Sequence, residues 1–126
     1  MHRSRFAGII IDCKTDDLEA AADFWSAALG YPIHPTADAE DSIYRTLQQP
    51  ERETYVEVQQ VRHASRVHLD IESDNIEAEV ARLEALGARR LKKIHDWWVM
   101  EAPTGQRFCV VKPSNRHFAK TANTWK

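Results

Sequence analysis

The sequence predicts an α+β fold in which a strand–helix–three-strand (βαβββ) unit occurs twice. Three observations lead there. A β-branched run is followed at once by an amphipathic helix near the N-terminus, and the same pairing returns near the middle. Three shorter strand candidates follow each helix. The two helices align without gaps when Ile10 is set against His68, which also places Asp12 on Asp70 and Asp16 on Asp74. An internal repeat of this kind outranks local propensity in choosing a fold.

Taken in order, "FAGIIIDC" reads as the first strand. "TDDLEAAADFWSAALGYP" follows as a helix: Thr15 or Asp16 can cap it, and acidic residues fill its first turn. Leu18, Ala22, Trp25 and Leu29 form its apolar stripe, Gly30 supplies the C-cap, and Pro32 stops continuation. Strands are expected around Ile33, over "SIYRTLQ" and over "TYVEVQQV", separated by polar, Pro-containing turns. The second module starts with "RVHLDIE" and continues with the helix "SDNIEAEVARLEALG". There Ser73 or Asp74 caps, Ile76, Val80, Leu83 and Leu86 form the stripe, and Gly87 closes. "ARRLKKI", "DWWVMEA" and "QRFCVV" complete it. The expected bounds are 5–62 for module one, 65–112 for module two and 113–126 for a tail, all within one domain.

Composition narrows the function classes. At 126 residues the chain buries one core. Apolar residues make up 43% and charged residues 29%, which fits a folded rather than a disordered chain. A net charge of −2, with both signs interspersed, gives no footprint for nucleic acid or an anionic membrane. Apolar runs fall far short of the about 20 residues a membrane span needs. Two cysteines without a CxxC point to a reducing, cytoplasmic setting.

Strand alternation assigns faces. Val67, Leu69 and Ile71 go to the helix-covered side, and His68 and Asp70 to the other. Gly8, Ile10 and Asp12 join them, as do Tyr55, Glu57 and Gln59, and Arg107 and Cys109. The polar members of four strands thus share one face. A curved sheet makes that face the wall of a cavity. Trp97 and Trp98 point to opposite sides, so one of the two, with Trp98 carried as the candidate, lines the cavity, where with Tyr55 or Tyr44 it offers a planar apolar wall; the alternation does not choose between them.

These stretches resemble the vicinal oxygen chelate superfamily, which includes glyoxalases, bleomycin-resistance proteins and extradiol dioxygenases. The resemblance lies in "DLEAAADFWSAALGY", "RVHLDIESDNIEAEVARLEALGARRL", the hairpin "WVMEAPTGQRFCVV" and the ending "FAKTANTW", the last similar to a small glyoxalase-like branch. It implies two βαβββ modules cupped around one site. In metal-dependent members, ligands sit on the first and last strands of each module. Those places here are Ile10, Glu57 or Gln59, His68 and Cys109. Isoleucine replaces the usual first histidine or glutamine, and cysteine the usual last glutamate. The hairpin keeps Pro103 and Gly105 for its turn but lacks the usual aspartate.

The half-replaced ligand set points to a small-molecule binding module without a catalytic metal, akin to the resistance-type members. Its candidate ligand contacts are Asp12, Tyr55, Glu57, Gln59, His68, Asp70, Trp98 and Cys109, with His68 the candidate catalytic group. The alternative is a lyase, isomerase or dioxygenase using His68, with or without a divalent metal such as zinc held by Glu57, His68 and Cys109. Asp12 and Asp70 either assist acid–base work at His68 or meet water and Arg66. Phe118 and Trp125 in the tail suggest packing on the body or across a homodimer interface.

Overall fold

In the computed structural model the elements run β1 (His2–Lys14), α1 (Leu18–Leu29), β2 (Tyr44–Leu47), β3 (Tyr55–Val61), β4 (Arg66–Ser73), α2 (Ile76–Ala85), β5 (Arg89–Ile94), β6 (Trp97–Glu101), β7 (Arg107–Val111), α3 (Phe118–Thr121) and β8 (Asn123–Trp125). The structure describes residues 1–49, 54–113 and 118–126. The turn expected at Pro50 and the first part of the tail, residues 114–117, lie outside the described residues. The fold is α+β, with βα followed by further strands in both halves. Two units are distinct: Gly8–Val67, and Met1–Ala7 together with His68–Lys126.

In the Gly8–Val67 unit, β1 pairs parallel with β3 from Gly8↔Tyr55 to Lys14↔Val61, and β2 pairs antiparallel with β3. Parallel neighbours need a crossover, and α1 lies in that connection. Its N-cap is Asp17, whose carboxylate accepts the Ala20 N–H at 3.0 Å, one residue past the expected Asp16. The Thr15 hydroxyl instead accepts the Asp17 N–H at 2.9 Å. Gly30, at φ 72°, ends the helix in the left-handed region. Leu18 packs with Leu47 and Val58, and Trp25 borders this cluster. Leu29, expected in the stripe, is exposed. Ile33 makes only a single bridge to Leu47, not a strand. Pro32 and Pro35 flank it, and neither can donate to a ladder.

The other unit repeats this pattern. β4 pairs parallel with β7, β6 antiparallel with β7, and β5 antiparallel with β6. Val80 and Leu83 of α2 pack on Met100 and Val110, with Ile71, Trp98 and Phe108 around them. The cap is Asn75, accepting the Ala78 N–H at 3.0 Å, while the Ser73 hydroxyl accepts the Asn75 N–H at 3.1 Å. Leu86, expected in the stripe, is 66% exposed. Val67 and Leu69 are also exposed, at 58% and 47%, although both were expected under a helix. Ten residues make a helix about 15 Å long, and its cluster reaches Ile71 but not Leu69.

β1 starts at His2 rather than Phe6 because β8 pairs with its first residues, from His2↔Trp125 to Ser4↔Asn123. The tail packs on the body. Trp125 donates its indole N–H to the Ser4 hydroxyl at 2.8 Å, and the Arg82 guanidinium lies 3.8 Å from its ring centre. Arg3 donates to the carbonyls of Ala119 and Ala122 at 2.7 and 3.1 Å. The buried Arg5 and Glu72 pair at 2.6 Å. Burial alone would raise the Glu79 carboxyl, but hydrogen bonds from Arg82, His2 and Ser4 outweigh it and hold the pKa at about 2. No helix among the described residues is long and apolar enough to cross a membrane.

Candidate functional site

The second-module site is built by register. His68 and Asp70 are two apart on β4 and point to the same face. Asp70 stands beside Cys109 of β7, and Cys109 beside Val99 of β6. His68 and Cys109 are half-buried, while Asp70 is only 7% exposed. The His68 Nε2 lies 3.5 Å from the Asp70 Oδ1. One nitrogen, one oxygen and the Cys109 sulfur all come within 4.8 Å of one another. This face therefore concentrates an imidazole, a carboxylate and a thiol in the space of one small ligand group.

Trp98, expected on that face, lies on the opposite one. Its register partner is Val110, and its ring packs against the α2 cluster. The indole N–H donates to Glu77 at 2.9 Å. That bond, with the Arg90 contact, holds the Glu77 carboxyl below its ordinary range. Alternation then gives the polar face to Trp97. Sequence alone could not choose between adjacent tryptophans, because nothing in "DWWV" records which one α2 covers.

The first-module residues form ranks across three strands. Gly8 stands beside Tyr55; Ile10 beside Glu57 and then Thr46; Asp12 beside Gln59 and then Tyr44. A Cβ on Gly8 would overlap the Tyr55 carbonyl and ring, so glycine is what allows Tyr55 to lie over the strand. Gln59 donates to the Tyr44 hydroxyl at 3.0 Å. The Thr46 hydroxyl lies 3.2 Å from both the Glu57 and the Asp38 carboxylates, and Asp38 also accepts the Thr46 N–H at 2.5 Å. The single hydroxyl proton can serve only one carboxylate at a time. Arg66 lies 3.9 Å from the buried Asp12 carboxylate, so the Arg66 contact foreseen for Asp12 is present. Asp38 and Thr46 were not foreseen: Asp38 sits in irregular chain, and Thr46 reads as an ordinary strand residue.

Register also resolves which first-module residue matches Cys109. Asp12 pairs with Gln59 and Asp70 pairs with Cys109, so Gln59 rather than Glu57 holds the equivalent place.

A family model described as a glyoxalase-like domain matches residues 8–111. The chain belongs to this family. The match agrees with the vicinal oxygen chelate resemblance carried by the sequence. Among solved structures, a hypothetical protein from Bacillus halodurans is similar at TM-score 0.63 and 10% identity, covering 90% of this chain and 96% of that one. A Streptomyces coelicolor methylmalonyl-CoA epimerase in complex with 2-nitronate-propionyl-CoA gives TM-score 0.56 and 17% identity, covering 87% and 94%. An extradiol ring-cleaving dioxygenase from B. fuscum gives 0.58 and 17%, covering 88% of this chain and 33% of that one. These likenesses are of fold. No curated protein matches.

The metal that the superfamily implies can be tested against the residues. Ile10 is buried and has no donor atom. Glu57 is hydrogen-bonded to Thr46. In the second module, by contrast, His68, Asp70 and Cys109 bring N, O and S donors together, a mixture that suits zinc. The expectation of a metal-free site counted Ile10 and Cys109 but did not count Asp70. With Asp70 included, these residues fit a divalent ion.

Proposed function

We propose that this glyoxalase-like chain binds a small organic molecule on the polar face of its second module, with His68 as the principal polar contact. The observation that carries this reading is the convergence of His68, Asp70 and Cys109 within 4.8 Å. Asp70 orients the imidazole from the same strand, and Cys109 and Val99 supply softer, more apolar contacts beside it. The CoA ester analogue held by the epimerase supports a small-molecule ligand class. This reading needs no metal in order to hold. Resistance-type sequestration, a homodimer and a reducing cytoplasm belong to the same reading, and the free thiols of Cys13 and Cys109 accord with that compartment. Light scattering at tens of micromolar checks the dimer.

The test is a thermal-shift screen of small organic acids, thioesters and phenols, followed by His68→Ala. Loss of affinity with little loss of stability supports the proposal. Unchanged affinity with a large loss of stability would make His68 a structural hydrogen-bonder.

A lyase, isomerase or dioxygenase is the second reading, favoured by the imidazole–carboxylate approach of 3.5 Å. In it His68 accepts or returns a proton at a bound substrate while Asp70 holds the ring. Turnover of a ligand found in the screen, abolished by His68→Ala, separates it from simple binding.

A further inference from the structure

We propose that a second small-molecule site, complete within the Gly8–Val67 unit, takes a monocarboxylate carried on an apolar body. It goes beyond the reading centred on His68 and uses none of that site's residues. A cavity of about 860 Å³ opens at the carboxyl ends of β1 and β3, a volume that suits a small organic molecule. Register builds it. The two strands run parallel as far as Lys14↔Val61, which brings Lys14 of one and Arg62, the residue after the other, to the same cavity. Hydrogen bonds fix its walls to one another. The Gln60 N–H donates to the Ile43 carbonyl at 2.9 Å, the Gln60 side-chain amide to the Thr15 carbonyl at 2.9 Å, and the Lys14 N–H to the Ser65 hydroxyl at 2.9 Å. A frame already tied in this way has little left to order when a ligand enters.

Charge selects the ligand. Among the described residues, neither the Lys14 ammonium nor the Arg62 guanidinium has an ion-pair partner. Two cations against one carboxylate, Asp16, leave the lining one net positive charge, which a single ligand carboxylate neutralises. Arg62 offers forked donors that match a carboxylate, and Lys14 adds a point charge. Val61 and the 47% exposed Ile43 supply apolar surface beside them, so the site suits an organic acid better than a bare anion. The start of α1 is not the receptor, because the Asp17 carboxylate already accepts its Ala20 N–H. The matching places in the second module are neutralised. Lys14↔Val61 corresponds to Glu72↔Val111, so Arg62 corresponds to Lys112. Glu72 pairs with Arg5 at 2.6 Å, and Lys112 pairs with Asp96 at 2.5 Å. Of these four places, only the first module's two are without a counter-ion.

The full chain, isotope-labelled, is titrated with phenylacetate while amide chemical shifts are followed. Phenylacetamide, which lacks the charge, and acetate, which lacks the ring, serve as paired probes. The expected result is saturable shifts at Lys14, Thr15, Val61 and Arg62, with phenylacetate the tightest of the three. Lys14→Gln and Arg62→Gln should each weaken it about fivefold or more. Both residues are exposed, so thermal melting should not change. Asp16→Asn removes the opposing charge and should tighten binding, an effect that loss of a purely structural residue would not give. His68→Ala should leave the affinity unchanged. Equal binding of phenylacetamide overturns the charge role, and equal binding of acetate overturns the apolar body. No saturation by about 10 mM overturns the site altogether. Shifts centred on His68 and Cys109, with affinity lost in His68→Ala, also overturn it, and they leave the His68 reading standing.

Discussion

The two modules share a strand–helix–strand pattern and parallel first-to-last strand pairing, but they use their polar faces differently. In the first, Tyr44, Thr46, Glu57 and Gln59 bond to one another or to Asp38, and the Tyr55 ring covers Gly8. In the second, the matching ranks hold three chemically unlike donors at one spot: His68, Asp70 and Cys109. Equivalent backbone positions carry Gln59 in one and Cys109 in the other. A repeat can thus preserve its ladder while one copy keeps the reactive side chains and the other takes on hydrogen-bonded packing.

The largest expected effect breaks the first module's face. Gly8→Ala drives a methyl into the Tyr55 carbonyl, which the β1–β3 ladder holds in place. We expect a loss of about 3 kcal/mol or more, the top of the usual overpacking range, read by urea denaturation. A near-neutral result would mean that Tyr55 is not held over the strand.

The second module should instead be sensitive to acid. The folded pKa of Glu79 is about 2, below its ordinary 4.5. Its contribution is therefore complete above pH 4.5 and is lost as pH falls through 2, amounting to about 3 kcal/mol at most. Wild type and Glu79→Gln should differ in stability at pH 6 and converge towards pH 2. A gap that is constant with pH would remove the carboxylate from the explanation.

His68→Ala should cost about 1 kcal/mol of stability or less while weakening ligand binding about tenfold or more. Titration calorimetry beside thermal melting measures both. The smallest effects sharpen the likeness rather than the difference. Asp17→Ala and Asn75→Ala remove matched caps, and each should cost about 1 kcal/mol. A much larger loss at one would show that its helix also needs the cap for packing.

Much of this was legible in the sequence, for physical reasons. The alternation that groups His68, Asp70 and Cys109, and the glycine that ends α1, are local signals. Trp98 was misplaced because its face depends on where α2 and Glu77 lie. Val67 and Leu69 were misread because an apolar alternation does not tell how far a helix reaches along a strand. Both caps fell beyond the expected residues, since Asp, Ser and Thr all satisfy the same capping chemistry and only backbone geometry selects among neighbours. The strand at Ile33 failed because flanking prolines deny it donors. The role of Asp70 beside Cys109 depended on β4–β7 register, which no local pattern records.

The central claim, that the second module carries the ligand chemistry, is tested most directly by amide chemical-shift mapping with the tightest ligand from the screen. The account predicts the largest perturbations at His68, Asp70, Val99 and Cys109. Perturbations confined to Tyr44, Glu57 and Gln59, with β4 and β7 silent, would contradict it.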